Sequence, residues 1–349
     1  MDRDTFAKRQ ADMSANWYEG VKRREGNVEA YIVKRHHAYL DRWKEAGRFI
    51  ADGSKVLDVG GGNLYPLLLE YIKSKNIDYH YLDIDAAAVE GSRNLGENFG
   101  FNPANFDVGF NDQFEFESEK FDYIFSSHCI EHSINLAKTF SELNRILRLD
   151  GMLLMAVPFG WEENPEHPYF FSPDQWITLV EDAGFEICVA QIGRMYPEHG
   201  CDFFLAAKKI GTKLIAQRIN ADDYRKECYK FISFDNSSIA YTGDMQITPE
   251  GNAAHLRGDD WLIEISLPAC TQVILPVFLN HSWSSQIQIL TAPYLSTYHD
   301  LFSWFPYVQP CRHAILKSNV MASHVVIKPI GKNASSWSTE GVIYGAMYK

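Results

Sequence analysis

A run of three glycines after a short apolar segment is the feature of this sequence best suited to binding a ligand. Residues 56–59 have the composition of a buried strand, residues 60–62 are all glycine, and an apolar helical pattern follows. Glycine lets a ligand approach bare backbone, and open α/β sheets bind ligands at the carboxyl ends of their strands. The pattern therefore predicts a ligand-binding turn to which Gly60 and Gly62 contribute.

A carboxylate at the end of a second predicted strand is the next chemical feature. Asp83 ends the apolar run 79–82, and Asp85 follows two residues later. A carboxylate at this place can accept both hydrogen bonds of a ribose diol, whereas Asp85 alternatively caps the helix that begins after it. We predict that Asp83 binds a ribose, and we count Asp58, in the first strand, among the cofactor-binding residues.

Composition excludes several classes of partner. The chain has 349 residues, with 45 acidic and 33 basic side chains and a formal net charge of -12. An acidic chain without a basic block favours neither nucleic acid nor anionic membranes as a partner. The six cysteines are scattered, and no stretch is apolar for long enough to span a bilayer. We expect reduced thiols, a cytoplasmic location and no membrane span.

The pattern of elements predicts three regions. Residues 1–53 have helical periodicity and are expected to form an N-terminal lid. In residues 54–210 short apolar runs alternate with amphipathic patterns, which is typical of a doubly wound α/β sheet. The expected strands there are 55–59, 79–84, 105–108, 121–126, 151–157, 186–192 and 203–208, and the expected helices are 64–74, 86–95, 134–147 and 172–183.

Residues 211–349 lose the helical period and predict a separate all-β sandwich or jelly roll. Such a domain is suited to substrate recognition or to forming a homo-oligomer. Its aromatic side chains could stack on sugar rings or fill the core of the domain. These aromatics are Trp261, Trp283, Trp304, Phe305, Tyr307 and Trp337, and the expected strands are 261–267, 273–279, 286–290, 314–317, 324–330 and 341–347.

A series of motifs downstream of the second carboxylate occurs in a fixed order. An acidic and apolar strand that ends in a Glu-His pair is followed by a helix ending in Arg-x-Leu, a glycine turn and a strand closing on proline. This order resembles class I S-adenosylmethionine-dependent methyltransferases, specifically the group acting on small molecules and sugars. The resemblance covers residues 50–208, and its motifs are residues 121–132, 142–147, 150–151, 152–158, 167–172 and 183–185.

The resemblance implies S-adenosylmethionine as the cofactor and assigns positions around it. Gly60 and Gly62 would line its methionine half, Asp83 would hold the ribose, and Ile84 would lie beside the adenine. Ser127 would place a backbone group near the amino end, and Tyr18 would close over the cofactor or belong to the core. The adenine amine would meet Asp107, Asn111 or Asp112, and we favour Asn111.

An alcohol acceptor has to lose its proton during methyl transfer, which calls for a neutral histidine or a carboxylate near the methyl group. His128 and His167 are the two candidate bases, and Glu131 and His132 lie on the same predicted strand edge. His132 alternatively orients the backbone. Glu131, His132 and residues 162–163 could hold a divalent cation, but their spacing does not require one, so we predict no metal.

These features together predict an O-methyltransferase for a hydroxyl of a sugar, a glycan or a glycosylated small molecule. N- or C-methylation of a small metabolite is the alternative within enzymes, and an amine acceptor would need no strong base. A catalytically silent glycan-binding scaffold is the alternative outside enzymes. An NAD-dependent oxidoreductase is disfavoured, because a dinucleotide turn has the pattern Gly-x-Gly-x-x-Gly and the third glycine is absent.

Overall fold

The structure is a computed structural model in which two compact units are described. The first comprises Met1–Val157, Pro165–Gln191 and Phe203–Lys226, and the second Pro158–Asn164, Ile192–Asp202 and Glu227–Lys349. Tyr18, Glu162, Glu163 and the expected strand 314–317 lie outside the described residues. The structure describes residues 2–3, 5–10, 12, 28–160, 167–196, 200–211, 229–268, 274–291, 295–304, 306–311 and 324–349.

A seven-stranded sheet carries the first part of the chain. Strands β1 to β5 pair in parallel in the order β3-β2-β1-β4-β5, and β7 and β6 complete the sheet beyond β5. The strand order reverses between β1 and β4, which is where doubly wound sheets open a ligand crevice. The strands are β1 (Lys55–Val59), β2 (Asp78–Asp83), β3 (Phe106–Val108), β4 (Phe121–Ser127), β5 (Leu147–Phe159), β6 (Phe185–Tyr196) and β7 (Gly200–Lys209).

Five described helices accompany this sheet, and the predicted doubly wound fold with an N-terminal helix is confirmed. Asp85 caps one of them by accepting hydrogen bonds from two backbone amides of its first turn, as its alternative interpretation required. Ser172 and Gln175 form a reciprocal capping box at another. The helices are α1 (Val28–Ala46), α2 (Pro66–Ser74), α3 (Ala86–Asn98), α4 (Leu136–Ile146) and α5 (Pro173–Asp182). Among the described residues, no helix is long and apolar enough to cross a bilayer.

Helix α1 packs on the sheet through a buried aromatic and carboxylate network. The indole of Trp43 lies 4.5 Å from the ring of Phe125 and 5.9 Å from that of Tyr79. The phenols of Tyr39 and Tyr79 donate hydrogen bonds of 2.9 and 2.8 Å to the carboxylate of Asp58. Asp58 is fully buried, and this burial raises its pKa to about 7. The carboxyl group therefore joins β1, β2 and α1 in the core.

The second unit is all β, as predicted, and its strands form one nine-stranded antiparallel network. Strand β10 pairs with β16 through residues 254–256 and with β15 through residues 263–266, so the network branches along β10. Both branches contribute side chains to one apolar cluster that includes Trp261, Phe278 and Ile287. Its strands are β8 (Lys230–Ser233), β9 (Ile239–Ile247), β10 (Ala254–Ser266), β11 (Ile274–Asn280), β12 (Ser285–Thr291), β13 (Leu295–Asp300), β14 (Tyr307–Pro310), β15 (His324–Lys332) and β16 (Gly341–Tyr348).

The raised pKa of Asp58 predicts a pH-dependent stability. Between its unfolded value near 3.8 and about 7, the carboxyl is protonated in the folded protein and ionised in the unfolded chain. The folded state then binds the extra proton, so stability falls as the pH rises through this window, by up to about 4 kcal/mol. Asp58→Asn keeps an oxygen acceptor and cannot ionise. The free energy of urea unfolding, measured from pH 4 to 8, should therefore fall more steeply for the wild type than for Asp58→Asn.

Asp52→Asn is the matched control, because its side chain is 71% exposed. This variant should follow the pH profile of the wild type. Parallel profiles for wild type and Asp58→Asn would show that the pKa of Asp58 is not raised on folding.

Candidate functional site

Two of the three glycines in the turn have backbone conformations that residues with side chains rarely adopt. Gly60 and Gly62 have φ angles of +77° and +60°, in the left-handed region. A Cβ on Gly60 would overlap the side chain of Cys129, and one on Gly61 would lie 2.6 Å from the ring of Tyr81. A Cβ on Gly62 would meet no atom within 4 Å. The turn is therefore packed from behind at two glycines and open at the third.

The open glycine lies directly beside the carboxylate of Asp83. The backbone amide of Gly62 donates a 2.9 Å hydrogen bond to Asp83 Oδ2, and the amide of Asp85 donates one of 2.9 Å to Asp83 Oδ1. Burial raises the pKa of Asp83, which these two backbone amides partly oppose. The neighbouring Ile84 is half-buried. The turn between β1 and α2 and the end of β2 thus form one backbone and carboxylate unit.

Two further side chains fix this unit, and the sequence analysis missed them. The Tyr81 hydroxyl donates a 2.6 Å hydrogen bond to the carbonyl of Gly62, and Ser92 Oγ donates one of 3.2 Å to the same oxygen. Tyr79 and Tyr81 are two residues apart in β2, so their side chains lie on the same face of the sheet. Both are bonded to groups of the β1 segment, Tyr79 to Asp58. The period-two spacing of these tyrosines was the available signal.

The three residues that competed for the adenine amine have different surroundings. Asn111 is half-buried, and its side-chain amide donates to Cys129 Sγ at 3.6 Å, next to the glycine turn. Asp112 is buried and accepts hydrogen bonds of 2.8 and 3.1 Å from the Arg3 guanidinium. Asp107 is half-buried, and burial raises its pKa. Of the three, Asn111 is the one whose side chain contacts the group that packs behind Gly60.

The end of β4 brings the next set of predicted residues to the same edge of the sheet. Ser127 is buried, and among the described residues no group hydrogen-bonds its Oγ. His128 follows with a φ of +53°, which is uncommon for a residue other than glycine or asparagine, and its amide bonds the carbonyl of Ala156 in β5. Cys129 then packs against Gly60. The chain between β4 and α4 therefore abuts the glycine turn.

We use the name histidine cluster for His128, Glu131, His132 and His167. Glu131 is fully buried, and its Oε1 lies 3.7 Å from His128 Nδ1 and 4.0 Å from His132 Nε2. The rings of His132 and His167 meet edge to face with centroids 4.7 Å apart. The amide of Tyr169 donates to the carbonyl of Glu131 at 3.4 Å, which ties the loop before α5 to this turn. The structure thus brings together all four residues predicted for catalysis.

Asp58 has a position different from that of the other predicted cofactor residues. Its carboxylate is bonded to two phenols and is fully buried. It supports the strand that leads into the glycine turn and offers no exposed atom to a ligand.

Part of the first unit is similar to a known protein family. Residues 31–190 match the sequence profile of a family described as methyltransferase domain. No curated protein matches the chain. A SAM-dependent methyltransferase from Aquifex aeolicus is 19% identical in sequence, covering 49% of this chain and 90% of its own, with a TM-score of 0.40. One from Methanosarcina mazei is 16% identical, covering 47% and 96%, with a TM-score of 0.40.

The family match spans β1 to β5 and the edge that carries both the glycine turn and the histidine cluster. The family match covers residues 31–190, and the motifs that resemble methyltransferases cover residues 50–208, so the two overlap over most of their length. Residues 31–190, a little under half of the chain, are therefore similar to a methyltransferase domain, and a separate all-β unit accompanies them.

Proposed function

We propose that this chain is an S-adenosylmethionine-dependent methyltransferase that transfers the methyl group to a hydroxyl of a sugar or glycan, with the histidine cluster at the acceptor side. The observation that carries the proposal is the contact between the two halves of the site. Cys129 packs behind Gly60, and His128 precedes it in the chain. His128 is thus the neighbour in sequence of the residue that packs against the turn proposed to hold the methyl donor, and an imidazole there could accept the proton that an alcohol acceptor has to lose.

The residues at the turn fit an adenosyl donor. The position that a Cβ of Gly62 would occupy is open, and it adjoins a buried carboxylate suited to a ribose diol. Ser127 adds a buried hydroxyl with no hydrogen-bond partner among the described residues. We propose that Gly60, Gly62 and Ser127 line the methionine half and that Asp83 binds the ribose. Ile84 and Asn111 would border the adenine, and Tyr18, outside the described residues, would close over it.

S-adenosylmethionine supplies a methyl group that its sulfonium sulfur activates. The chain has to hold the acceptor oxygen in line with that methyl group, exclude water and accept the hydroxyl proton. Transfer would join the acceptor oxygen to the methyl carbon and leave the electron pair of the broken bond on sulfur, and an imidazole nitrogen would accept the hydroxyl proton. His128 and His167 are the candidate acceptors, with Glu131 and His132 positioning them.

The second unit supports a carbohydrate acceptor. Trp261 belongs to the core, and Trp283 is half-buried. Trp304 and Trp337 are 66% and 74% exposed, and exposed indole faces are suited to stacking on sugar rings. We propose that this unit recognises the acceptor or mediates self-association.

Replacing the carboxylate of Asp83 should weaken binding of the cofactor. Asp83→Asn removes the charge that is proposed to accept both ribose hydrogen bonds, and we expect about 10- to 100-fold weaker binding of S-adenosylhomocysteine in calorimetry. Asp85→Asn is the control, since asparagine also caps a helix, and its affinity should stay close to that of the wild type. Equal affinities for wild type and Asp83→Asn would contradict the assignment of the ribose site.

Adding one methyl group at Gly62 should block the cofactor and spare the fold. Alanine at φ +60° costs about 1 kcal/mol, and its Cβ would meet no protein atom. We expect Gly62→Ala to fold, with a small decrease in Tm, and to bind S-adenosylhomocysteine about tenfold more weakly or worse. Gly91→Ala, in helix α3 with equally open space, should bind it normally. Wild-type affinity in Gly62→Ala would place the cofactor elsewhere.

Removing the candidate bases should abolish transfer to hydroxyls. Asparagine at 128 keeps the left-handed backbone and removes the imidazole. With labelled S-adenosylmethionine and a panel of nucleotide-sugars and glycans, we expect the wild type to give an O-methylated product, identified by mass spectrometry. The variant with both His128→Asn and His167→Asn should lower kcat about 100-fold or more. S-adenosylhomocysteine binding should persist. A product methylated on nitrogen or carbon, at a rate unaffected by both changes, would favour the alternative acceptor classes.

A further inference from the structure

A fully buried carboxylate lies among three imidazole rings in the histidine cluster. Glu131 has no exposed surface, although a carboxylate in the protein interior is costly unless a positive charge accompanies it. Its Oε1 lies 3.7 Å from His128 Nδ1 and 4.0 Å from His132 Nε2, so two imidazole nitrogens surround one carboxylate oxygen. Carboxylate oxygens and imidazole nitrogens are both ligands that metal ions take in proteins, and the histidine cluster contains both.

The donor atoms of three of these residues are grouped closely enough for one ion. One ligand atom each from Glu131, His132 and His167 lies within 4.8 Å of the other two. Neighbouring ligands about 2.1 Å from one ion are roughly 3.0 to 3.4 Å apart, so each separation has to shorten by less than about 2 Å. Glu131 and His132 are adjacent on a short 3₁₀ turn, and the hydrogen bond from Tyr169 holds the loop that supplies His167.

The chemistry of the donors indicates the class of ion. Imidazole favours zinc and the later first-row metals, whereas a site for magnesium or calcium is built from oxygen atoms. Two histidines and one carboxylate also leave coordination positions open for other ligands. We propose that Glu131, His132 and His167 bind one first-row divalent cation, such as Mn²⁺ or Zn²⁺. The sequence alone predicted no metal, because the spacing of these residues does not show that His167 lies beside the Glu-His pair.

The open positions of such an ion suggest the class of acceptor, and this step rests on the proposed function. An ion with two free adjacent positions can bind both oxygens of a vicinal diol and hold one of them near the methyl group. Sugars carry vicinal diols, so the cation would select and align the acceptor. Glu131, His132 and His167 then act through the ion as acceptor-positioning residues, and with His167 bound to the ion, His128 is the remaining candidate base.

Metal binding can be measured without any acceptor. The full-length protein, without a histidine tag and stripped by chelator, is titrated with MnCl₂ and separately with ZnCl₂ in calorimetry. Loss of the free Mn²⁺ signal in electron paramagnetic resonance gives the stoichiometry. We expect one ion per chain and a higher Tm with metal. Glu131→Gln and His167→Asn should weaken binding about tenfold or more and lose the increase in Tm.

The second unit offers a matched control. His255 Nε2 lies 2.7 Å from Glu340 Oε2, so His255→Asn removes another partly buried histidine beside a carboxylate. This variant should bind metal as the wild type does. If Glu131→Gln does not fold, which circular dichroism would show, His132→Asn and His167→Asn decide the matter.

The outcomes separate this inference from the proposed function. No binding of either ion, or equal binding by the wild type and the His132 and His167 variants, would overturn the metal site. If S-adenosylhomocysteine still binds in that case, the cofactor site stands and only the cation is excluded. If metal binds but no hydroxyl is methylated in the acceptor panel, the cation site stands and the sugar acceptor is wrong.

Discussion

The backbone conformation of residues 60–62 is the constraint on which the rest of the site depends. The side chains of Cys129 and Tyr81 occupy the space that a Cβ would need at Gly60 and at Gly61. The backbone amide of Gly62 donates a hydrogen bond to Asp83. Two of the three residues have positive φ angles, and side chains are excluded behind the turn. Because strands β2 and β4 flank β1, the turn is held from both sides. One surface at Gly62 stays open.

Buried polar groups connect this turn to the helices around it. Asp58 in β1 accepts hydrogen bonds from Tyr79 in β2 and from Tyr39 in helix α1, while Tyr81 and Ser92 bond the carbonyl of Gly62. Each of these groups would be costly to bury alone, so the arrangement is stable only when all elements are docked. The same elements that form the core therefore also define the open face of the turn.

The proposed cofactor side and acceptor side of the site consist of different kinds of chemical group. The donor side is backbone and one carboxylate, which suits a rigid cofactor site. The acceptor side is a group of titratable side chains, with His128 in a left-handed conformation and Glu131 fully buried. Residues in such conformations and buried charges are often found at functional sites. Arg145, within the Arg-x-Leu motif, instead bonds the carbonyls of Phe114 and Phe116 and has a structural role.

Local pattern alone determined the elements of the first unit, because each strand is an apolar run and each helix has a clear amphipathic period. It did not reveal β8, β9, β13 or β14, since edge strands such as β9 expose most of their side chains and lack an alternating pattern. The glycine turn, Asp83 and the residues of the histidine cluster were evident as residue types at strand ends.

Only the tertiary structure decided which of these residues meet. Asp58 is fully buried against Tyr39 and Tyr79, although its place in the glycine motif predicted a cofactor contact. His167 lies beside His132, although the two are far apart in sequence. The physical reason is the same in both cases. Contacts between distant segments depend on how helices and loops pack on the sheet, and this packing cannot be predicted from local composition.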